Sequence, residues 1–179
     1  MPGCGKSTVG RQLGRQLGRN FVDSDAQIEQ QIGCSIREYF DREGEAAFRD
    51  VEQAVIARLT QDDDLVLATG GGVVLRAANR EALHERSTVF YLRSTPEELA
   101  RRLRHDKHRP LLQGGDPLRK LRELYRERDS LYRRTAHYVV ETPRPSVHAL
   151  LNMVLMQLEL AGLVDPAQVP SPVGGGSMY

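Results

Sequence analysis

Cysteine is scarce in this sequence, and long apolar runs are absent. The chain has 179 residues and two cysteines, Cys4 and Cys34. Two cysteines are too few for a disulfide framework, and no Cys/His cluster has the spacing of metal ligands. No segment resembles a secretory signal, and none contains about 18 consecutive apolar residues. The sequence therefore predicts a soluble cytoplasmic protein rather than a secreted or membrane-spanning one.

The sequence also has no excess of positive or negative charge. The chain has 25 basic and 24 acidic residues, for a net charge of +1, so its composition does not indicate nucleic acid or a membrane surface as a partner. Its length suits one domain with a substantial core, and no internal repeat is visible. We expect a single domain over residues 1–162. The prolines and glycines beyond it predict a disordered tail over 163–179.

Short apolar runs alternate with amphipathic segments, which is typical of βαβ units and a parallel sheet. The predicted strands are 21–22, 65–68, 88–92 and 138–140. The predicted helices cover about 26–32, 36–40, 45–60, 79–86, 96–104, 117–132 and 147–160. Thr95 and Glu98 form a capping box at the start of one of them, and Ser146 is the predicted N-cap of the last.

The first ten residues contain the most informative motif. Gly5-Lys6-Ser7 ends a phosphate-binding loop, G-x-x-x-x-G-K-[ST]. Glycine lets backbone N–H groups face phosphate oxygens, lysine reaches the outer phosphates, and the serine hydroxyl joins a magnesium shell. Val9, Leu13 and Leu17 share a stripe, which predicts the helix whose N-terminus faces the anion. The motif's first glycine and its preceding strand would lie before Met1, so we expect Met1 to be an internal methionine of a longer natural chain.

Two aspartates, Asp23 and Asp25, follow the first predicted strand. Ligands of α/β sheets bind at the carboxyl ends of strands, and if a phosphoryl group is transferred here to a hydroxyl, a carboxylate would be needed to orient that hydroxyl and accept its proton. One such aspartate is usually a loop or cap residue, but two of them opposite a phosphate loop favour a functional site. Asp129 and Glu52 are weaker candidates for the base, because each also fits an exposed helix face.

Taken together, the motifs of this chain resemble those of the shikimate kinases, small P-loop kinases of the nucleoside-monophosphate-kinase type. The matching motifs, in the family's order, are Gly3-Cys4-Gly5-Lys6-Ser7-Thr8, Asp23-Ser24-Asp25, Phe48-Arg49, Thr69-Gly70-Gly71-Gly72, Arg109-Pro110-Leu111-Leu112, and Arg128 ahead of Leu131-Tyr132. The resemblance implies a three-layer α/β fold with a parallel sheet of order 2-3-1-4-5, whose central first strand is missing from this chain. It also implies a substrate-binding helical insert at about 26–60 and a lid at about 105–116.

The resemblance implies a reaction as well: Mg²⁺-dependent transfer of phosphate from ATP to the 3-hydroxyl of shikimate, in aromatic amino-acid biosynthesis. The residues that it assigns to ATP are Gly3, Cys4, Gly5, Lys6, Ser7, Thr8, Arg102, Arg109 and Arg144. It assigns Mg²⁺ to Ser7 and Asp23, and catalysis to Asp25, Lys6 and Arg109. The residues that it assigns to shikimate are Asp25, Arg49, Gly70, Gly71 and Arg128.

Physical chemistry supports these implied roles. A planar guanidinium pairs bidentately with a carboxylate, which suits Arg49 and Arg128 to a substrate that is an acid. In the family the position of Gly71 donates its N–H to the substrate, and the lid position of Arg109 stabilises charge on the transferred phosphate. Arg144 is a candidate to stack on adenine. Four other arginines are expected to be exposed: Arg37, Arg58, Arg119 and Arg122.

Two alternative functions stay open. One is another small P-loop kinase, for gluconate or a nucleotide. Asp25, Arg49 and Arg128 argue against it, because a nucleotide acceptor would not require this carboxylate clamp. The other is a non-catalytic relative that binds shikimate, although the intact Lys6 and Asp23 argue against it. The resemblance implies a monomer, and the balanced charge indicates no nucleic-acid or membrane partner.

Overall fold

The computed structural model describes residues 1, 4–103, 116–141 and 146–165 of the chain. The strands are β1 (Asn20–Asp23), β2 (Leu65–Ala68), β3 (Phe90–Arg93) and β4 (Tyr138–Glu141). The helices are α1 (Lys6–Leu17), α2 (Ser24–Ile32), α3 (Ile36–Leu59), α4 (Ala77–Arg86), α5 (Pro96–Leu103), α6 (Pro117–Thr135) and α7 (Val147–Leu160), with a 3₁₀ turn at Val73–Leu75. Helices and strands alternate as the sequence predicts.

Helices cover both faces of the parallel pair β1–β2. The Phe21 ring lies against Gly10 of α1 on one face. On the other face Val22 packs with Ile28 of α2 and Val55 of α3. Neighbouring residues of a strand point to opposite faces of the sheet, so both faces of this pair contribute to the core. Coverage on both sides is typical of parallel sheets in α/β proteins.

The second parallel pair, β3–β4, lies within the largest part of the core. Its strands contribute Tyr91 and Val140, while α5, α6 and α7 contribute Leu99, Leu121 and Leu150, and all five side chains are buried. Helix α7 also packs against α1. This contact joins the two halves of the domain.

The two strand pairs are not joined by hydrogen bonds within the described part of the chain. A cavity of about 560 Å³ lies between them, and its lining includes Leu65 and Leu67 of β2, Phe90 and Leu92 of β3, and Val154 of α7. The layered α/β class with parallel strands is therefore confirmed. The four described strands do not establish the order 2-3-1-4-5, which therefore stays a prediction.

Some element boundaries differ from those predicted. Helix α3 spans both of the helices predicted at 36–40 and 45–60, and it is kinked between them at Gly44, where φ is 83° and ψ is 171°. At the other end of the domain, Val164 packs against Leu151 and Leu155 of α7, although the sequence places it in the tail. Residues 166–179 of that tail lie outside the described residues. None of the described helices is both long and apolar enough to cross a membrane.

Candidate active site

The phosphate loop leads directly into α1. Gly5, the N-cap residue, has a φ of 86°, in the left-handed region that glycine adopts at little cost. No described side chain caps α1, so the N–H groups of its first turn and the positive end of its dipole are available to an anion. Lys6 Nζ donates a hydrogen bond to the Met1 carbonyl oxygen at 2.9 Å. A phosphate at this position would meet both backbone donors and a cation.

Ser7 and Asp23 connect the phosphate loop to the end of β1. Ser7 Oγ donates to Asp23 Oδ2 at 2.6 Å, while Asp23 Oδ1 accepts the Asp25 N–H at 3.0 Å and caps α2. Asp23 pairs with Ala68, the last residue of β2, so the aspartates and the loop after β2 lie at the same carboxyl edge. A hydroxyl and a carboxylate beside a phosphate site are ligands that suit Mg²⁺.

The carboxyl group of Asp25 is unusually basic. Burial raises its pKa to about 6, and the neighbouring Asp23 carboxylate adds to this effect, whereas Lys6 opposes it. Glu52 and Glu29 contribute smaller increases. A carboxylate with a pKa this close to neutrality is both ionised at pH 7 and able to accept a proton, which is what a general base requires.

The predicted substrate residues meet at the three consecutive glycines after β2, residues 70–72, which we call the glycine loop. A Cβ atom on Gly70 would lie 2.5 Å from Asp25 Oδ1, and one on Gly72 would collide with the guanidinium of Arg49. A Cβ on Gly71 would lie 3.9 Å from Arg128 Nη1. Three consecutive glycines thus let three charged side chains approach the same short stretch of backbone. The structure therefore brings together Asp25, Arg49 and Arg128, as the sequence predicts.

Two glutamates hold the Arg49 guanidinium. Its Nη1 donates to Glu52 Oε2 at 2.8 Å, and its Nη2 and Nε donate to Glu45 Oε1 at 3.2 and 3.3 Å. The Glu52 side chain is 3% exposed, whereas that of Glu45 is 62% exposed. Exposed ion pairs contribute little, so a ligand carboxylate can replace Glu45 on one edge of Arg49 while Glu52 keeps the other edge in place.

Arg128 has a hydrogen-bond donor without an acceptor. Its side chain is 16% exposed, and its ion pair with Glu127 is long, at 3.7 Å. Within the described residues, Arg128 Nε is buried and has no hydrogen-bond partner. A buried donor left in this state costs about 1–3 kcal/mol. A carboxylate bound beside Gly71 would supply the missing acceptor.

Some of the predicted ATP residues lie outside the described residues. These are Gly3, Arg109 and Arg144, together with most of the predicted lid, so their roles stay predictions. Arg102 is half-buried in the last turn of α5, and Thr8 is exposed on α1. Their contacts with ATP also stay predictions. The arginines expected to be exposed are confirmed as such: Arg37, Arg58, Arg119 and Arg122.

Cys4 is buried next to the phosphate loop. Its Sγ lies 3.1 Å from the Met1 carbonyl oxygen and 3.7 Å from Lys6 Nζ. Burial has the largest single effect and raises the pKa of this thiol. The charges of Lys6 and the Met1 amino group, together with hydrogen bonds from Lys6, offset burial, and the net change is a lowered pKa. The side chain therefore lies in an electropositive environment, as expected beside an anion site.

The interpretation of Glu52 and Asp129 as exposed helix faces is wrong. Glu52 is 2% exposed. Its i,i+3 spacing from Arg49 on the same helix indicates the ion pair between them, although it does not indicate burial. Asp129 accepts hydrogen bonds from Tyr91 at 2.9 Å, Arg93 at 3.1 Å and Arg133 at 2.9 Å. Burial raises its pKa, but these donors more than offset burial and lower it. Asp129 is therefore a structural acceptor rather than a base.

Comparison with known proteins identifies the family of the chain. The family model for shikimate kinase matches residues 2–159. The shikimate kinase of Paracidovorax citrulli is 59% identical over 170 residues, which cover 93% of this chain and 93% of that relative. The shikimate kinase of Burkholderia pseudomallei (strain K96243) is 58% identical over 164 residues, covering 92% of this chain and 89% of the relative.

Solved structures give the same result. Shikimate kinase from Acinetobacter baumannii in complex with shikimate aligns with a TM-score of 0.82 and 46% identity, over 91% of this chain and 90% of that one. Shikimate kinase from Aquifex aeolicus aligns with a TM-score of 0.77 and 31% identity, over 91% of this chain and 95% of the other.

Proposed function

The chain belongs to the shikimate kinase family, and we propose that it transfers a phosphoryl group from ATP to the 3-hydroxyl of shikimate. The observation that supports this most directly is the convergence of Asp25, Arg49 and Arg128 on the glycine loop after β2. One basic carboxylate and two guanidiniums are suited to a substrate with both a hydroxyl and a carboxylate. The product belongs to the pathway of aromatic amino-acid biosynthesis.

Asp25 performs the proton transfer. Above pH 6 it is ionised, because its pKa is raised only to about 6. In that state it accepts a hydrogen bond from the attacking hydroxyl and then its proton, as the oxygen bonds to phosphorus and the bond to ADP breaks. Lys6 lies near enough to affect the pKa of Asp25. Its ammonium can therefore bind the phosphates while Asp25 binds the acceptor.

Arg49 and Arg128 bind the substrate carboxylate. The exposed Glu45 leaves the Nε–Nη2 edge of Arg49, and the substrate carboxylate takes its place as a charge-assisted acceptor. The buried Nε of Arg128 gains the acceptor that it lacks. Fixing the carboxylate at two points orients the ring, so that one hydroxyl is directed to Asp25.

ATP binds with its phosphates at the N-terminus of α1. The first-turn amides and Lys6 contact the phosphate oxygens, and Arg102, Arg109 and Arg144 complete the nucleotide site. Ser7 and Asp23 are the residues that would hold Mg²⁺. They fit this ion because Mg²⁺ in kinases uses one or two carboxylates together with the substrate phosphates, and the hydroxyl and carboxylate lie 2.6 Å apart. When bound, the ion neutralises charge on the phosphates.

The order of the strands in the sheet is part of the same proposal. In a sheet of order 2-3-1-4-5, β1–β2 and β3–β4 would be the outer pairs, and the cavity between β2 and β3 would be the position of the central strand. Its apolar lining, with Leu65, Leu67 and Leu92, suits a strand that is buried on both faces. We also propose that the protein acts as a cytoplasmic monomer.

Turnover with different acceptors tests the function. With Mg²⁺–ATP in excess, we expect kcat/KM for shikimate to exceed that for gluconate or AMP by about 10²-fold or more. AMP has no carboxylate for the two arginines, and the flexible open chain of gluconate does not hold its carboxylate and one hydroxyl at the fixed separation that a ring provides. ADP release can be followed by a coupled assay, with product measured separately. Equal or faster turnover of AMP or gluconate would indicate another small kinase. Shikimate binding without product would indicate a non-catalytic relative.

A further inference from the structure

Tyr132 connects α6 to the glycine loop. Its side chain is buried, and its hydroxyl donates a hydrogen bond of 2.5 Å to the Gly71 carbonyl oxygen. Tyr132 lies one helical turn after Arg128, so both side chains are on the same face of α6. A Cβ on Gly71 would lie 3.4 Å from the Tyr132 hydroxyl and 3.9 Å from Arg128 Nη1. The tyrosine and the arginine thus meet the same glycine.

The three carbonyl groups of the glycine loop are held in different ways. The Gly70 carbonyl accepts the Val73 N–H at 3.3 Å, and the Gly72 carbonyl accepts the Leu75 N–H at 3.0 Å. Both of these bonds are local to the 3₁₀ turn. The Gly71 carbonyl is bonded instead to a side chain that is 61 residues away in the sequence.

This middle bond matters because glycine has more backbone freedom than any other residue. The Gly70 N–H is fixed by Ser24 Oγ at 3.2 Å, which anchors the start of the loop to α2. Without an anchor on its carbonyl, Gly71 could rotate relative to Arg128. A bidentate site for a carboxylate needs its donors to be held within a few tenths of an ångström.

We propose that Tyr132 is a positioning residue for shikimate. Its hydroxyl holds the Gly71 backbone beside Arg128, so that the loop and α6 present their donors to the substrate carboxylate as one unit. This inference rests on the proposed function. It gives Tyr132 no contact with ATP and no part in proton transfer.

The test replaces Tyr132 with phenylalanine, which keeps the ring and removes the hydroxyl. We expect KM for shikimate to increase about five- to twentyfold, as for the loss of one buried hydrogen bond in a positioned site, while KM for ATP and kcat stay within about twofold. The hydroxyl also accepts a longer bond of 3.4 Å from the Met1 amino group. If that contact were the important one, KM for ATP would increase instead, and the proposal would be wrong.

Tyr91→Phe is the matched control. Tyr91 is buried, stacks on Tyr132 with ring centroids 4.9 Å apart, and donates to Asp129 rather than to the glycine loop. We expect its loss to lower the melting temperature without changing KM for shikimate. Equal KM changes in the two variants, or no change in Tyr132→Phe, would overturn the proposal.

A double-mutant cycle separates positioning from general packing. In an Arg128→Lys background the bidentate partner is already lost, so Tyr132→Phe should raise the dissociation constant for shikimate by less than twofold. An undiminished increase there would show that Tyr132 does not act through Arg128, and it would contradict the proposal. If wild-type protein forms no phosphoshikimate, the proposed function fails, whereas the shikimate dissociation constants still test the role of Tyr132.

Discussion

Replacing Asp25 with asparagine is expected to lower kcat for shikimate phosphorylation by about 10²- to 10⁴-fold, the usual contribution of a positioned general base. Asparagine keeps the size of the side chain and its hydrogen-bonding oxygen, so KM for shikimate should change much less. The physical reason is the raised pKa of about 6, which makes Asp25 a better proton acceptor than an ordinary carboxylate. Steady-state kinetics at pH 7.5 measure both constants.

The same substitution is expected to stabilise the protein. Because the folded pKa of Asp25 lies above its unfolded value of 3.8, the contribution of this group is most favourable below the unfolded pKa and is lost as pH rises through about 6. At pH 7.5 the ionised form therefore opposes folding, and Asp25→Asn should increase the free energy of unfolding by about 1–3 kcal/mol. The gain should shrink at pH 5.

A control and a pH profile make this prediction specific. Asp41→Asn changes an exposed carboxylate on α3 and should leave kcat, KM and stability nearly unaltered. In the wild-type protein kcat/KM for shikimate should fall as pH drops below about 6. The residual activity of Asp25→Asn should not show this decrease. An Asp25→Asn enzyme with wild-type kcat would remove Asp25 from the mechanism.

The second large effect is expected at Arg49. Arg49→Met removes one of two carboxylate contacts, and a hydrogen bond between charged groups contributes about 1.5–3 kcal/mol, so KM for shikimate should rise about 10- to 100-fold. The substitution also leaves Glu52 buried without its cation, which typically costs about 3–5 kcal/mol. Total stability is of the order of 5–15 kcal/mol, so Arg49→Met should be close to unfolding at 37 °C.

A second substitution separates these two consequences. In Arg49→Met/Glu52→Gln the buried charge is gone, so most of the lost stability should return while KM for shikimate stays high. Urea denaturation and kinetics measure the two properties. Arg119→Met is the matched control, because its pair with Glu123 is exposed on both sides and contributes about 0–1 kcal/mol. Recovery of KM together with stability in the double variant would mean that Arg49 is only structural.

Features set by neighbouring residues could be predicted from the sequence. The capping box at α5 is confirmed, with Thr95 N–H donating to Glu98 Oε2 at 3.0 Å and Glu98 N–H donating to Thr95 Oγ1 at 3.3 Å. Ser146 caps α7 through the Ala149 N–H at 3.0 Å. The position of Asp23 and Asp25 at the carboxyl edge follows from strand pattern alone. These features depend on residues that lie within a few positions of one another, so a single sequence is enough to predict them.

Features set by contacts across the fold could not be predicted in the same way. Glu52 has the sequence context of an exposed helix residue, and its burial becomes visible only when α3 packs onto the sheet. The bond between Tyr132 and Gly71 joins segments that are distant in the sequence, so no local pattern indicates it. The kink at Gly44 has a φ of 83°, a conformation that glycine permits but does not by itself dictate.

The most direct test of the central claim is the identity of the product. Purified protein should be incubated with shikimate and Mg²⁺–ATP, and the products analysed by ³¹P and ¹H NMR, with Asp25→Asn protein as the control. We predict a phosphate monoester on the 3-oxygen of shikimate, formed in equal amount to ADP and nearly absent with Asp25→Asn. Unmodified shikimate in a sample where both ATP and shikimate are shown to bind would contradict the account.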